Sequence, residues 1–155
     1  MSPAVKPIPD GYHAVTPYLS ITGAAAAIAF YKRAFGAEEI YRLEMPGGII
    51  GHAEIQIGDS RIMLAEDMPN MPDAIARSPE TLRGTTFGLC LYVKDVDARF
   101  EQAVAAGAIV KRPVTNQFYG DRSGTVLDPF GHVWTLATHV EDVSPDEMKR
   151  RMPTG

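Results

Sequence analysis

The 155-residue sequence holds a single cysteine, Cys90, so it can form neither an intramolecular disulfide nor a paired-cysteine metal site. Basic residues are in deficit: 15 Lys and Arg stand against 19 Asp and Glu, for a net charge of −4. A nucleic-acid partner requires a basic face to neutralise phosphates, so that class of partner is excluded. Long apolar runs are missing, and none approaches the roughly 20 residues of a membrane span, so no membrane association is expected. No Gly-rich strand-to-helix turn of the nucleotide-binding kind is present. The run from Met1 to Asp10 is proline-rich and lacks the apolar segment of a secretory signal. Residues 1–12 are read as an extended segment, and the expected location is the cytoplasm.

What is there suits a folded protein, because 45% hydrophobic and 22% charged residues supply an ordinary core and a soluble surface. The order of elements repeats. In the first half a strand at Val15–Ile21 is followed by a helix at Ala24–Phe35, Gly36-Ala37, and further strands ending near Glu66. In the second half a strand at Phe87–Val93 precedes a helix at Val96–Ala106, Gly107-Ala108, and strands ending near His139. The run Ile57–Leu64 aligns with Asp128–Thr135 as a turn entering the last strand.

Each helix has a local cause. Ile28, Tyr31 and Phe35 fall at i, i+3 and i+7, with Ala24 one turn earlier, which makes one apolar stripe. Thr22 is the candidate cap, and Gly36 can take the left-handed conformation that ends the helix. In the second helix Asp95 caps, and Val96, Phe100, Ala103 and Val104 form the stripe up to Gly107. On one strand His52, Glu54 and Gln56 alternate with Ala53, Ile55 and Ile57, as in a sheet with one polar and one buried face. The helices are expected on the buried face. Pro69, Pro72, Pro79 and Gly84 make the segment between the modules a loop with one short helix. Near the end, Ser144-Pro145-Asp146-Glu147 reads as a capping box opening a short polar helix.

With these elements in place, the chain resembles the vicinal oxygen chelate superfamily, the glyoxalase, bleomycin-resistance and dioxygenase fold. The likeness rests on the repeated βαβββ order, on the run Ala29–Ala37, and on Leu127-Asp128-Pro129-Phe130-Gly131-His132-Val133-Trp134. It is most similar to the PhnB-like branch through Thr16-Pro17-Tyr18-Leu19, Gly51-His52-Ala53-Glu54-Ile55 and the run Gln117–Gly124. The resemblance implies an α+β fold in which two βαβββ modules form a cup-shaped mixed sheet with helices on the outer face. One such domain is expected over residues 13–140, with modules at about 13–67 and 85–140, a connector at 68–84 and a helical tail at 141–155. It also implies a homodimer and a site inside the cup.

Metal enzymes of this superfamily place one ligand on the first and last strand of each module. Those positions fall here on Thr16, on Leu64 or its neighbour Met63, on Gly88 and on Thr135. None is His, Asp or Glu, so no metal and no other cofactor is expected, and glyoxalase or dioxygenase chemistry is disfavoured. PhnB-like chains are also grouped under a demethylubiquinone methyltransferase name, but methyl transfer has no support in this sequence.

The candidate ligand-binding residues are Thr16, Tyr18, His52, Glu54, Gln56, Tyr92, Tyr119, Arg122 and Thr135. A concave site with a few placed polar groups suits a small organic molecule, whereas the plain alternative for His52 and Glu54 is a solvated strand face or polar residues paired with one another across the sheet. Phe118 and Tyr119 offer flat apolar faces, and Arg122 can hold an anionic group or pair with Asp121. Cys90 is expected to be a buried or half-buried core residue, Trp134 to pack under the helices, and His132 to be structural. His139 can reach the mouth of the cup. The methionines of Met68-Pro69-Asn70-Met71-Pro72 cover core or meet another subunit. The leading expectation is small-molecule binding without the usual metal tetrad. The alternatives are a lyase or isomerase using a displaced metal site or a His52/Glu54 acid–base pair, and an interaction protein with a filled cup.

Overall fold

The computed structural model describes residues 3–155, so Met1 and Ser2 of the expected N-terminal segment lie outside it. The chain forms two compact units, one ending at Arg83 and one spanning Gly84–Gly155. The first contains β1 (Tyr18–Ile21), α1 (Ala24–Phe35), β2 (Glu38–Met45), β3 (Ile49–Ile57), β4 (Ser60–Glu66) and the one-turn α2 (Pro79–Leu82). The second contains β5 (Gly88–Tyr92), α3 (Val96–Ala106), β6 (Ile109–Asn116), β7 (Asp121–Leu127), β8 (Val133–His139) and α4 (Pro145–Arg151). Each unit has one four-stranded mixed sheet, ordered β1-β4-β3-β2 or β5-β8-β7-β6, so the fold is α+β and built on one repeated module. The first two strands in each order are parallel and the rest antiparallel.

In the first unit α1 lies on one face of the sheet and buries Ile28, Phe30, Tyr31 and Phe35 with Leu19, Ile21, Ile55 and Leu64. Burying each such large side chain stabilises the fold by about 1.5–3 kcal/mol. Gly36 ends α1 in the left-handed conformation, φ 67°, as the sequence predicts. The start of α1 differs from expectation. Thr22 does not cap it; both oxygens of Glu66 accept from the Gly23 and Ala24 N–H groups, at 2.9 and 2.7 Å. A carboxylate suits a helix N-terminus, where unsatisfied N–H groups concentrate positive potential.

In the second unit Asp95 caps α3 by accepting from the Ala98 N–H, as predicted. Val96, Phe100 and Ala103 are buried, but Val104 is exposed, because the sheet covers a narrower stripe of α3 than the sequence suggests. Gly124 on β7 sits directly under Phe100: a Cβ there would lie 2.6 Å from the ring. Asp128 explains the run before β8. It is buried and accepts from the Phe130 and His132 N–H groups and from the Trp134 indole N–H at 3.0 Å. Trp134 is buried, as expected.

The repeat is offset by one residue from the sequence alignment. Leu19 pairs with Leu64 and Leu91 with Leu136, so Leu64 matches Leu136, and Met63 matches Thr135. Turn length caused the error: a two-residue turn leads into β4, whereas a longer turn over Asp128 leads into β8. Ser144 caps α4 by accepting from the Glu147 N–H, but the Glu147 carboxylate bonds Arg150 and Arg151, so half of the expected capping box forms.

Candidate functional site

Each sheet has one face under its helix and one face free of it. On the helix-free face of the first unit stand Tyr18, His52, Glu54, Gln56 and Met63, as alternation requires. They are half-buried, whereas Ala53, Ile55 and Ile57 are buried on the other side. His52 is the hub. Its Nδ1 lies 2.8 Å from the Tyr18 hydroxyl and its Nε2 lies 3.1 Å from Glu54 Oε1. The other Glu54 oxygen accepts a hydrogen bond from the Tyr12 hydroxyl, which arrives from the segment before β1. The Arg61 guanidinium stacks on the Tyr12 ring, 5.3 Å from its centre.

These contacts fix protonation. The Tyr12 hydrogen bond, opposed by burial and aided by His52, holds the Glu54 carboxyl below its ordinary range. Glu54 is therefore ionised and can only accept, so His52 Nε2 carries the proton. In the neutral imidazole Nδ1 is then an acceptor, and the Tyr18 hydroxyl donates to it. Burial, and then the Glu54 charge, push the Tyr18 phenol above its ordinary value, so it stays protonated.

Beside Tyr18 lies a cavity of about 170 Å³, lined on the sheet side by Ser20, Gly51, Ala65 and Glu66 and on the other by Met68, Met71 and the run Asp73–Ala76. The connector after β4 therefore roofs part of the helix-free face. It is held in place by Asp67, buried at the end of β4, which accepts from the Ser78 N–H, the Thr81 hydroxyl and Arg77. Burial alone would raise the Asp67 carboxyl, but these donors outweigh it and bring its pKa to about 2. Arg77 also binds the carbonyls of Met68 and Met71, which shapes the roof.

In the second unit the helix-free face carries Cys90, Tyr92, Asp121, Thr125, Thr135 and His139. The Tyr92 hydroxyl donates to Asp121 at 2.7 Å, which pushes the phenol up to about 12. His139 bridges Asp121 and Asp142, each at 2.8 Å, and Thr125 bonds Thr135 at 3.0 Å. Cys90 is exposed rather than core, because β5 turns it to the helix-free side while Leu89 and Leu91 face inward. Crowding around its sulfur, and then the Asp121 charge, raise the thiol above its ordinary value, so it is no activated nucleophile.

A model of the glyoxalase/bleomycin resistance protein/dioxygenase superfamily matches residues 13–136. The chain belongs to that superfamily. The Mycobacterium bovis protein Mb0911c is 42% identical over 139 residues, covering 90% of this chain and 91% of that protein. The crystal structure of TioX from Micromonospora sp. ML1 is similar at 25% identity and a TM-score of 0.65, covering 83% of this chain and 99% of that one. A PhnB protein from Bacillus cereus shares the fold at 17% identity and a TM-score of 0.62, over 81% of this chain and 99% of that one.

The four positions that the resemblance implies for a metal hold no His, Asp or Glu. Leu64 is buried on the helix side of β4, so the strand position facing outward is Met63, opposite Tyr18 and Glu54. Hydroxyls at Thr16 and Thr135, a thioether and a glycine are poor ligands for a divalent ion. Among the described residues no group of three or more His, Cys, Asp and Glu side chains is placed to hold a metal. Among the described residues no helix is long and apolar enough to cross a membrane.

The other residues singled out from the superfamily resemblance are placed as follows. Thr16 is half-buried just before β1, and the Gln56 amide donates to the Gly58 carbonyl at 3.0 Å. Tyr119 packs edge-on against Phe118. Arg122 lies on the helix side of β7 and is bidentate to Asp97 of α3, both contacts at 2.8 Å, with Asn116 also bound. It pairs with neither Asp121 nor the helix-free face. The sequence reading did not single out Tyr12, the Asp67 anchor or the roof at Asp73–Ala76.

Proposed function

We propose that this protein binds a small organic molecule on the helix-free face of its first unit, without the superfamily's usual metal. The observation that carries this is the cavity beside Tyr18, whose hydroxyl is fixed by the hydrogen-bonded chain through His52 and Glu54. A partly roofed pocket with an apolar lining and a few oriented polar groups is the ordinary form of a small-molecule site. Within the superfamily we place the chain in the PhnB-like branch, on Thr16-Pro17-Tyr18-Leu19 and the segment around His52. Thermal melts and equilibrium dialysis against a broad panel of small metabolites and planar drugs test the proposal. Binding that weakens in a folded His52→Ala variant supports it, and no binding across the panel refutes it.

A second reading draws on the same chain of contacts. Glu54 orients His52, and His52 accepts the Tyr18 proton, which is the order of groups a proton-transferring site uses. An enzyme of lyase or isomerase type, working without metal, is the form this would take. Turnover by the purified protein, lost in His52→Ala, distinguishes it from binding alone. Against a metal displaced onto His52 and Glu54, no third His, Cys, Asp or Glu side chain stands with them among the described residues.

We also propose a cytoplasmic homodimer. An exposed free thiol at Cys90 suits a reducing compartment, and Ile40, Tyr41, Leu43, Met45 and Ile49 expose apolar surface around β2. Light scattering that gives twice the chain mass supports the dimer.

A further inference from the structure

The charge of the cavity wall is one-sided. Its ionisable groups of definite charge are two carboxylates, Glu66 and Asp73, and its lining includes no Lys, Arg or His. Glu66 is spent on the N-terminus of α1, so its charge is partly compensated there. Asp73 is exposed on the roof and caps no helix. Toward the neutral His52 the Tyr18 hydroxyl is a hydrogen-bond donor, which leaves the lone pairs of its oxygen for the cavity. The remaining lining is the neutral hydroxyl of Ser20, Gly51, and the thioether and aliphatic surface of Met68, Met71, Ile75 and three alanines. Such a wall has acceptors and negative charge to offer, and no cation with which to hold an anion.

Building on the small-molecule reading of this face, we propose that the occupant is a small organic cation: an ammonium group on an apolar body. Its N–H groups find the Asp73 carboxylate and the Tyr18 oxygen, and its apolar part lies against the methionines, whose polarisable sulfurs adapt to irregular shapes. Size limits the class further. At about 170 Å³ the cavity is below the ~300–1,000 Å³ of drug-sized pockets, so the body is that of a short aryl or alkyl amine. The cation at the roof, Arg77, lies outside the lining and is taken by Asp67 and the Met68 and Met71 carbonyls.

Calorimetric titration of the full chain with three matched probes tests this: 4-phenylbutylamine, 4-phenylbutan-1-ol and 4-phenylbutyrate. The amine should bind about two- to fivefold tighter than the alcohol, with the carboxylate weakest, as one exposed charge pair allows. In Asp73→Asn the amine should fall to the affinity of the alcohol, while the alcohol is unchanged. Asp73 is exposed on a loop, so the variant keeps the fold, and an unaltered melting temperature checks that. Carboxylate binding equal to or tighter than that of the amine, or an amine preference that survives in Asp73→Asn, overturns the proposal. No binding of the amine overturns it too. The broader reading then stands or falls separately, on whether the small-molecule panel yields binding that depends on His52.

Discussion

The hydroxyl of Tyr18 lies 2.8 Å from Nδ1 of His52, and this contact joins a cavity wall to a carboxylate two strand positions away. Replacing Tyr18 by Phe removes the donor and leaves Nδ1 half-buried without its partner. We expect a loss of about 0.5–1.5 kcal/mol in urea unfolding, the usual net worth of one such bond. Nitrogen-15 shifts of His52 should keep the Nε2-protonated tautomer, because Glu54 sets it. A switch to the other tautomer would show that Tyr18, not Glu54, orients the ring.

Acid stability should report on Asp67. Its folded pKa of about 2 lies below the unfolded value near 3.9, so its contribution is present above pH ~4 and is lost as pH falls toward 2. The linkage is worth roughly 2 kcal/mol at neutral pH. Asp67→Asn should lower stability at pH 7 and flatten the decline between about pH 4 and 2. An unchanged acid limb in chemical denaturation would refute the assignment.

His139 should titrate above its ordinary value, because Asp142 and then Asp121 favour the imidazolium. The sign follows: its contribution is present below the unfolded pKa and is lost as pH rises through the raised folded one. Proton NMR of the ring gives the midpoint directly. Asp142→Asn should move it down, and no movement would mean that the Asp142 contact is not made in solution.

Gly124 should resist even a methyl group. A Cβ would stand 2.6 Å from Phe100 Cε2 and 2.9 Å from Val114 Cγ2. Gly124→Ala should cost about 1–3 kcal/mol through overpacking. Part of that should return in the double variant with Phe100→Leu, whose smaller side chain makes room.

Removing the carboxylate that caps α1 should be felt in the whole first unit. Glu66→Ala leaves the Gly23 and Ala24 N–H groups without their acceptor and should cost about 1–2 kcal/mol. Glu66→Gln should recover part of this. Equal loss in both variants would show that charge at the helix end, and not hydrogen bonding, dominates.

Local signals made much of this fold legible. Gly36, Asp95 and Ser144 act on neighbours within a turn, and the alternation around His52 separates the two faces of β3 by itself. What escaped was set by long-range partners. Glu66 reaches α1 from 42 residues away, Arg122 is taken by Asp97 at a separation of 25, and Tyr12 meets Glu54 at 42. Spacing along the chain carries no information about such pairs. At the site, the residue types on β3 were visible in sequence, whereas the connector that roofs them depends on Asp67 finding Ser78.

The one-residue offset between the two copies of the module has a consequence for how they differ. With Leu64 matched to Leu136, the strand partners Ala53 and Gly124 become equivalent, so His52 corresponds to Ser123 and Glu54 to Thr125. One copy has an ionisable pair at these places, and the other has two short hydroxyl side chains. The scaffold bears either, since the backbone pairing does not depend on what projects from the open face. The duplication thus works as a division of labour: one half carries its ionisable pair at these two places, while its twin fills them with hydroxyls and sets its own ionisable pair at Asp121 and His139.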